Sequence, residues 1–225
     1  MSSGKPASRE TLYADKAQQY FSGARHDMLA LLSTGAASHI LEIGCGDGAT
    51  GAVALSSGKA SHYCGIELVG DVAERARQRL SQITVGDIEN LDLAPFAKQF
   101  DALIMSEVIE HLVDPWVTLG RLKSCLKPGG EIIASSPNIA HRAVIGALIS
   151  GRFDYQNEGV MDCTHLRWFT PHSYRALFTD AGFIDIRLLA VRPPGRLARL
   201  FNALTGNRYA HLSMTQIMIH ARLPR

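Results

Sequence analysis

A chain of 225 residues is long for one small domain and short for two, so a single domain carrying an insertion is expected. Hydrophobic residues at 46% supply a sizeable core, charged residues at 20% argue against disorder, and a net charge of +2 selects no partner. Four widely spaced cysteines without a C-x-x-C pair argue against structural zinc or a disulfide framework, and the lack of a signal core or transmembrane-length run points to a soluble, reducing, cytoplasmic setting.

Along the chain, residues 1–9 read as a loose tail and residues 10–33 as a helix, with apolar spacing through Leu12, Phe21, Met28, Leu29 and Leu32. A rhythm follows. SHILEIGCG is a buried strand ending in glycines, ATGAVALSS a helix, HYCGIEL a second strand, and VAERARQRLSQ a helix with charges on its open face. ITVGDI and FDALIMSE are strands three and four, DPWVTLGRLKSCLKPGG a helix closed by a Pro-Gly-Gly turn, and EIIASSP strand five. Apolar strands alternating with helices predict an α/β fold with a parallel sheet covered on both faces. Residues 138–169 break the rhythm as an inserted cap would, with Gly146, Gly151 and Gly159 allowing movement and Phe153, Tyr155 and Trp168 able to exclude water. Thr170-Pro171 then starts a helix that stops at Gly182. IDIRLLAV is strand six, residues 192–208 form a basic linker or helix, and HLSMTQIMIHARL holds strand seven. All of this makes one domain over residues 1–225.

In such a sheet, ligands sit beyond the carboxyl ends of the strands where the strand order reverses. The first strand ends in EIGCGDG, which places Glu42, Gly44, Cys45, Gly46 and Gly48 there. Glycines at that turn let the backbone approach a ligand closely. Glu67, with Leu68 beside it, closes strand two about 20 residues on, where a carboxylate can grip two ribose hydroxyls. Asp87 and Ile88 close strand three, in place for an adenine. Three acids around one nucleoside pocket suit a ligand without phosphates, such as S-adenosylmethionine with its ammonium and sulfonium charges. A pyrophosphate prefers a bare helix N-terminus.

The stretch MSEVIEHLVD puts Glu107, Glu110 and His111 within five positions. If the chain turns helical there, offsets of three and four bring them to one face. Such a set can hold a divalent metal, or serve as a metal-free pocket wall with His111 as general base. His165, in DCTHLRWFTP, is either functional or a cap on the following helix.

From about Tyr20 to Phe183 the chain resembles the class I S-adenosylmethionine-dependent methyltransferases, on ILEIGCGDG, CGIEL, GDIENL, FDALIMSEVIEHL and LKPGG. The resemblance implies a Rossmann-like sheet of seven strands with helices on both faces and a reversed last hairpin. It implies that Gly44, Gly46 and Gly48 face the methionine moiety, Glu67 the ribose, and Asp87 and Ile88 the adenine. Ser106 abuts the donor, and Arg25 reaches the methionine carboxylate. E-x-x-E-H and T-H-x-x-x-F-x-P further resemble the O-methyltransferases of ubiquinone biosynthesis and, more loosely, the small-RNA terminal 2′-O-methyltransferases. By that likeness Glu107, Glu110, His111 and His165 are ligands of Mg, Mn, Fe or Zn, and Glu110, His111 and His165 take part in catalysis on a hydroxyl. The cap matches neither subfamily, which leaves a catechol or quinol, a sugar diol, or an RNA terminus as acceptor. No dedicated RNA-binding module is present, so the RNA terminus is not favoured.

From Arg187 to Arg225 there are seven Arg and no Lys, Asp or Glu. Within RPPGRLARLFNALTGNR, Arg192, Arg196, Arg199 and Arg208 alternate with Leu197, Leu200, Phe201 and Leu204 at helical spacing. The ordinary expectation is a helix packing its apolar stripe on the sheet. The other is a basic amphipathic helix at a membrane surface.

Overall fold

The computed structural model describes Lys16, residues 22–33, Gly35 and residues 38–225. The expected tail and, apart from Lys16, the part of the expected first helix before residue 22 lie outside the described residues. Within 22–33 only α1 (His26–Leu31) is helical, and it buries Met28 and Leu29; residues 22–25 are not helical, which corrects the reading of one long helix.

The strands are β1 (His39–Ile43), β2 (His62–Glu67), β3 (Gln82–Val85), β4 (Phe100–Ser106), β5 (Leu126–Pro137), β6 (Ile184–Ala190) and β7 (Gln216–Arg222). They form one sheet in the order β3-β2-β1-β4-β5-β7-β6. β7 runs antiparallel to both neighbours, and the other pairs are parallel. The order reverses between β1 and β4, so the crevice that ligands use opens at their carboxyl ends.

Alternation along the strands divides the core. Leu41, Ile43, Leu103 and Met105 face one side, with Leu119 of α4 (Pro115–Leu122) and Tyr174 and Phe178 of α6 (Pro171–Asp180). Ile40, Ala102, Ile104 and Ile133 face the other, with Met28, Leu29, Tyr63 and Ala54 of α2 (Ala49–Ser56). α3 (Gly70–Arg77) packs Ala73 and Ala76 beside the glycine loop. It ends five residues before the expected point, after which residues 82–85 begin β3.

Two other expectations change. Pro128-Gly129-Gly130 is not a free turn but part of β5, where pairing with β4 shifts register between Phe100 and Ala102. Gly129 absorbs the irregularity with φ +77°. The cap carries its own helix, α5 (Arg142–Ile149), and Gly146 lies inside it rather than at a hinge. Gly151 and Gly159 do take positive φ, at +70° and +82°. Thr170 caps α6 in a reciprocal capping box with Ser173, followed by Pro171.

α7 (Arg196–Leu204) occupies the β6–β7 connection. Its buried residue is Asn202, while Leu197, Leu200, Phe201 and Leu204 are exposed. The apolar stripe does not pack on the sheet, contrary to the ordinary expectation.

Candidate active site

The carboxyl ends of β1, β2 and β4 open into a cavity of ≈ 680 Å³, whose lining includes Arg25, Glu42, Gly44, Cys45, Gly46, Glu67, Leu68, Asp87, Ile88 and Ser106. After β1 the backbone turns with φ +69° at Gly44, and a Cβ there would lie 2.6 Å from Val108 Cγ2. The loop is tied to β2: Gly44 N–H donates to the Ile66 carbonyl at 2.8 Å, and Gly46 N–H donates to Glu67 Oε2 at 2.9 Å. Glu67 Oε1 accepts from Val69 N–H at 3.0 Å. Glu67 thus holds the loop as well as facing the cavity. Burial raises its carboxyl above the ordinary value, against those N–H donors.

Gly48 is a correction. It lies outside the cavity lining, with φ +81° as N-cap of α2, and a Cβ there would press on Ala76 and Leu80. It is glycine for close packing of the loop on α3. Glu42 also behaves differently from a simple counter-charge. It is buried, accepts from Tyr63 Oη–H at 2.9 Å, and burial pushes its carboxyl up to about 8. Near neutral pH it is largely a neutral acid.

Arg25 lines the cavity with most donors already committed. Nε and Nη2 reach the two Asp27 oxygens at 2.8 Å each, and Nη1 donates to Ser106 Oγ and, at 3.1 Å, to Ser135 Oγ. One guanidinium N–H remains for a ligand. Asp87 also shapes its own turn, accepting from Glu89 N–H at 3.0 Å and Asn90 Nδ2 at 3.1 Å.

The opening after β4 does not turn helical at once. Glu107 has φ +54°, an uncommon backbone state for a residue with a side chain, and a single 3-10 turn follows at Ile109–His111. Glu107, Glu110 and His111 therefore do not share a helix face. Glu107 Oε1 accepts from Ser135 Oγ–H at 2.5 Å and Oε2 from Gln216 Nε2 at 3.1 Å. Burial raises its carboxyl, against the Ser135 bond.

Glu110 and His111 are joined instead by His165 of the cap, and the ligating atoms of these three lie within 4.8 Å of one another. His111 Nδ1 is 3.1 Å from the Thr164 carbonyl, and His165 Nδ1 is 3.1 Å from the Val160 carbonyl. A carbonyl only accepts, so each Nδ1 carries the proton and each lone pair sits on Nε2. Burial, then His165, lowers His111 to about 4, and burial lowers His165, so both rings are neutral near pH 7. Glu110 is the outlier: it is 1% exposed, and neither carboxylate oxygen has a hydrogen-bond partner. Burial first, then Glu107, raises its carboxyl strongly; Ser136 opposes this from nearby, yet its hydroxyl is also unpartnered.

The sequence signals missed the supports, which come from remote elements: Ser135 on β5, Gln216 on β7, and Asp162 in the cap. Asp162 accepts from Thr164 N–H and Oγ1–H at 2.9 and 2.8 Å and pairs with Lys16 at 2.6 Å, fixing the turn that carries His165. Against burial, Lys16 and Thr164 hold its carboxyl below the ordinary value. An Asx turn in MDCTH was a local signal for Asp162; nothing local marked Ser135 or Gln216.

A seven-stranded sheet with an antiparallel seventh strand, and a glycine turn facing an acid at the end of β2, define the class I S-adenosylmethionine-dependent methyltransferase fold. Residues 13–188 match the methyltransferase domain family, and the chain belongs to that family. It is 30% identical over 179 residues to a ubiquinone biosynthesis O-methyltransferase of Cereibacter sphaeroides, covering 74% of this chain and 65% of that protein. The Haemophilus ducreyi protein of the same name is 27% identical over 123 residues, 51% of each chain. The chain thus spans about half to just under two-thirds of these relatives. A SAM-dependent methyltransferase from Archaeoglobus fulgidus shares the fold at TM-score 0.60 and 21% identity, covering 96% of this chain and 94% of that one. Haemonchus contortus phosphoethanolamine N-methyltransferase 2, in complex with S-adenosyl-L-methionine, does so at TM-score 0.68 and 15% identity, covering 98% and 61%.

Proposed function

We propose that the chain transfers a methyl group from S-adenosylmethionine to a hydroxyl of a small molecule with two adjacent oxygens, a catechol, quinol or sugar diol, at a divalent cation held by Glu110, His111 and His165. The carrying observation is the Glu110 carboxylate, buried with both oxygens unpartnered within 4.8 Å of ligating atoms of two neutral imidazoles. A buried acid in that state is costly unless a cation or a proton completes it. The donor set fits Mg, Mn, Fe or Zn without selecting one.

Glu67 and the Gly44–Gly46 turn would hold the nucleoside and methionine parts of the donor, and the cavity is of ligand size. A divalent metal, when bound, supplies a Lewis acid that lowers the pKa of the acceptor hydroxyl. The chain's own work is positioning. The Thr164 and Val160 carbonyls fix both imidazole tautomers, and Glu107, pinned by Ser135 and Gln216, stands after β4 in the lining of the cavity that would hold the donor. The acceptor oxygen attacks the methyl carbon in line: an O–C bond forms, the C–S bond breaks with its electrons going to sulfur to leave a thioether, and the hydroxyl proton passes to solvent. A metal-free reading with His111 as general base is disfavoured, because a value of about 4 makes it a weak base near neutral pH.

The test is turnover of a catechol, a sugar diol and an RNA 3′ end, each with EDTA and after readdition of Mg or Mn. Chelation is expected to abolish turnover of a diol acceptor while donor binding survives. Full activity in EDTA, with no metal by elemental analysis, would refute the metal and return the His base.

A further inference from the structure

We infer that α7 and its flanking arginines dock this protein on an anionic lipid surface. The helix is amphipathic with its faces reversed. At about 100° per residue, Leu197, Leu200, Phe201 and Leu204 fall within an arc of about 100°. They are 84%, 59%, 49% and 78% exposed, while the polar Asn202 on the other side is 6% exposed. A helix that belonged only to the fold would bury the leucines and show the asparagine to water. Scattered exposed apolar residues need no explanation, but four on one face of one helix do.

The charges select the occupant. Arg196 lies about 40° outside one edge of the apolar arc, Arg199 turns farther round towards the opposite face, Arg192 precedes the helix and Arg208 follows it, and all four are exposed. No acidic residue lies between Arg187 and Arg225. Tyr209, 41% exposed, stacks near Phe201 at 6.2 Å between ring centroids, with the Arg208 guanidinium 5.8 Å from its ring. Leucine, phenylalanine and tyrosine on an arginine-flanked face suit the boundary between headgroups and acyl chains. RNA would satisfy the arginines and leave the three leucines without partners. A second copy would bring the same arginines together around an apolar contact, with no acidic residue in the segment to offset them. No described helix is long and apolar enough to cross a membrane, and the contact inferred is with a surface.

The placement has a consequence. Arg192 before α7, and Thr215 and Gln216 after it, line the catalytic cavity. The loop behind the helix is tied to the base of the cap, because Asn138 Nδ2 donates to the His211 and Met214 carbonyls at 2.8 Å each. On the cap, α5 leaves Ile149 83% exposed. A membrane held by α7 would therefore lie beside the cavity rim.

Vesicle flotation with the full chain tests this, using pure phosphatidylcholine against an equimolar mixture with phosphatidylglycerol. The protein is expected to float with the anionic vesicles only. The exposed double substitutions Leu200→Glu/Leu204→Glu and Arg196→Ala/Arg199→Ala are each expected to cut the bound fraction at least tenfold while keeping the parent thermal midpoint. Equal failure on both vesicles, or full binding by either variant, would overturn the inference. So would RNA binding lost only in the arginine variant, or dimerisation lost in the leucine variant, with vesicles unbound. Each outcome leaves the methyl-transfer reading untouched, since none is read through activity.

Discussion

Glu110 combines burial with two unpartnered carboxylate oxygens, beside the equally unpartnered hydroxyls of Ser136 and Tyr174. An acceptor left in that state costs about 1–3 kcal/mol. Glu110→Leu, similar in volume and apolar, is therefore expected to make the metal-free protein more stable by about that amount while abolishing activity, as measured by urea unfolding in EDTA. A loss of stability would mean that Glu110 is satisfied in a way its surroundings do not reveal. Glu42 gives a pH signature. Its folded value, about 8, lies above the ordinary carboxylate value of 4.5. The stability linked to it is fully present below the unfolded value and is lost as pH rises towards 8. Relative to Glu42→Gln, the parent should lose on the order of a few kcal/mol between about pH 5 and 8, and little beyond. Parallel stability curves for the two proteins would contradict the buried neutral acid. At this scale Glu42, Gly44, Gly46, Glu67 and Asp87 are legible in sequence because each sits at the end of a strand whose period is plain. Glu107 was not, because its direction is set by one positive φ and by Ser135 and Gln216, both remote in sequence.

Among the elements, α6 begins where Thr170 Oγ1 accepts from Ser173 N–H at 3.2 Å and Ser173 Oγ accepts from Thr170 N–H at 2.9 Å. Thr170→Ala is expected to cost about 1 kcal/mol, seen as a lower urea midpoint with unchanged slope. A change under a few tenths would show that Pro171 and burial of Tyr174 and Phe178 alone set that helix. Thr170-Pro171 is a strictly local signal, so this start is legible in sequence; so are the strands, as apolar runs of the right length. Helix ends were less so: α3 stops at Arg77 and α4 at Leu122, each short of the end its pattern suggested. α5 was hidden by Gly146, which lies inside the helix facing open space and costs it about 1 kcal/mol relative to alanine. For α7 the pattern defined an apolar face and could not say which way it pointed. Only the burial of Asn202 does.

At the scale of the whole molecule, the sheet brings β1 and β4 together at the reversal of strand order, and the cap returns His165 to the end of β4. The alternation of strands and helices made the α/β sheet legible, and its likeness to a known fold supplied the reversed hairpin. The joining of His165 to Glu110 was not legible from spacing, because the two are 55 positions apart and are brought together by the Lys16–Asp162–Thr164 anchor. Everything proposed about hydroxyl activation rests on that joining. The direct measurement is calorimetric titration of Mn²⁺ into the chelator-stripped full chain and into Glu110→Gln. One site is expected in the parent, weakened at least tenfold in the variant while both keep their fold by circular dichroism. No binding by the parent, or equal affinity in both, would contradict a cation held by Glu110, His111 and His165.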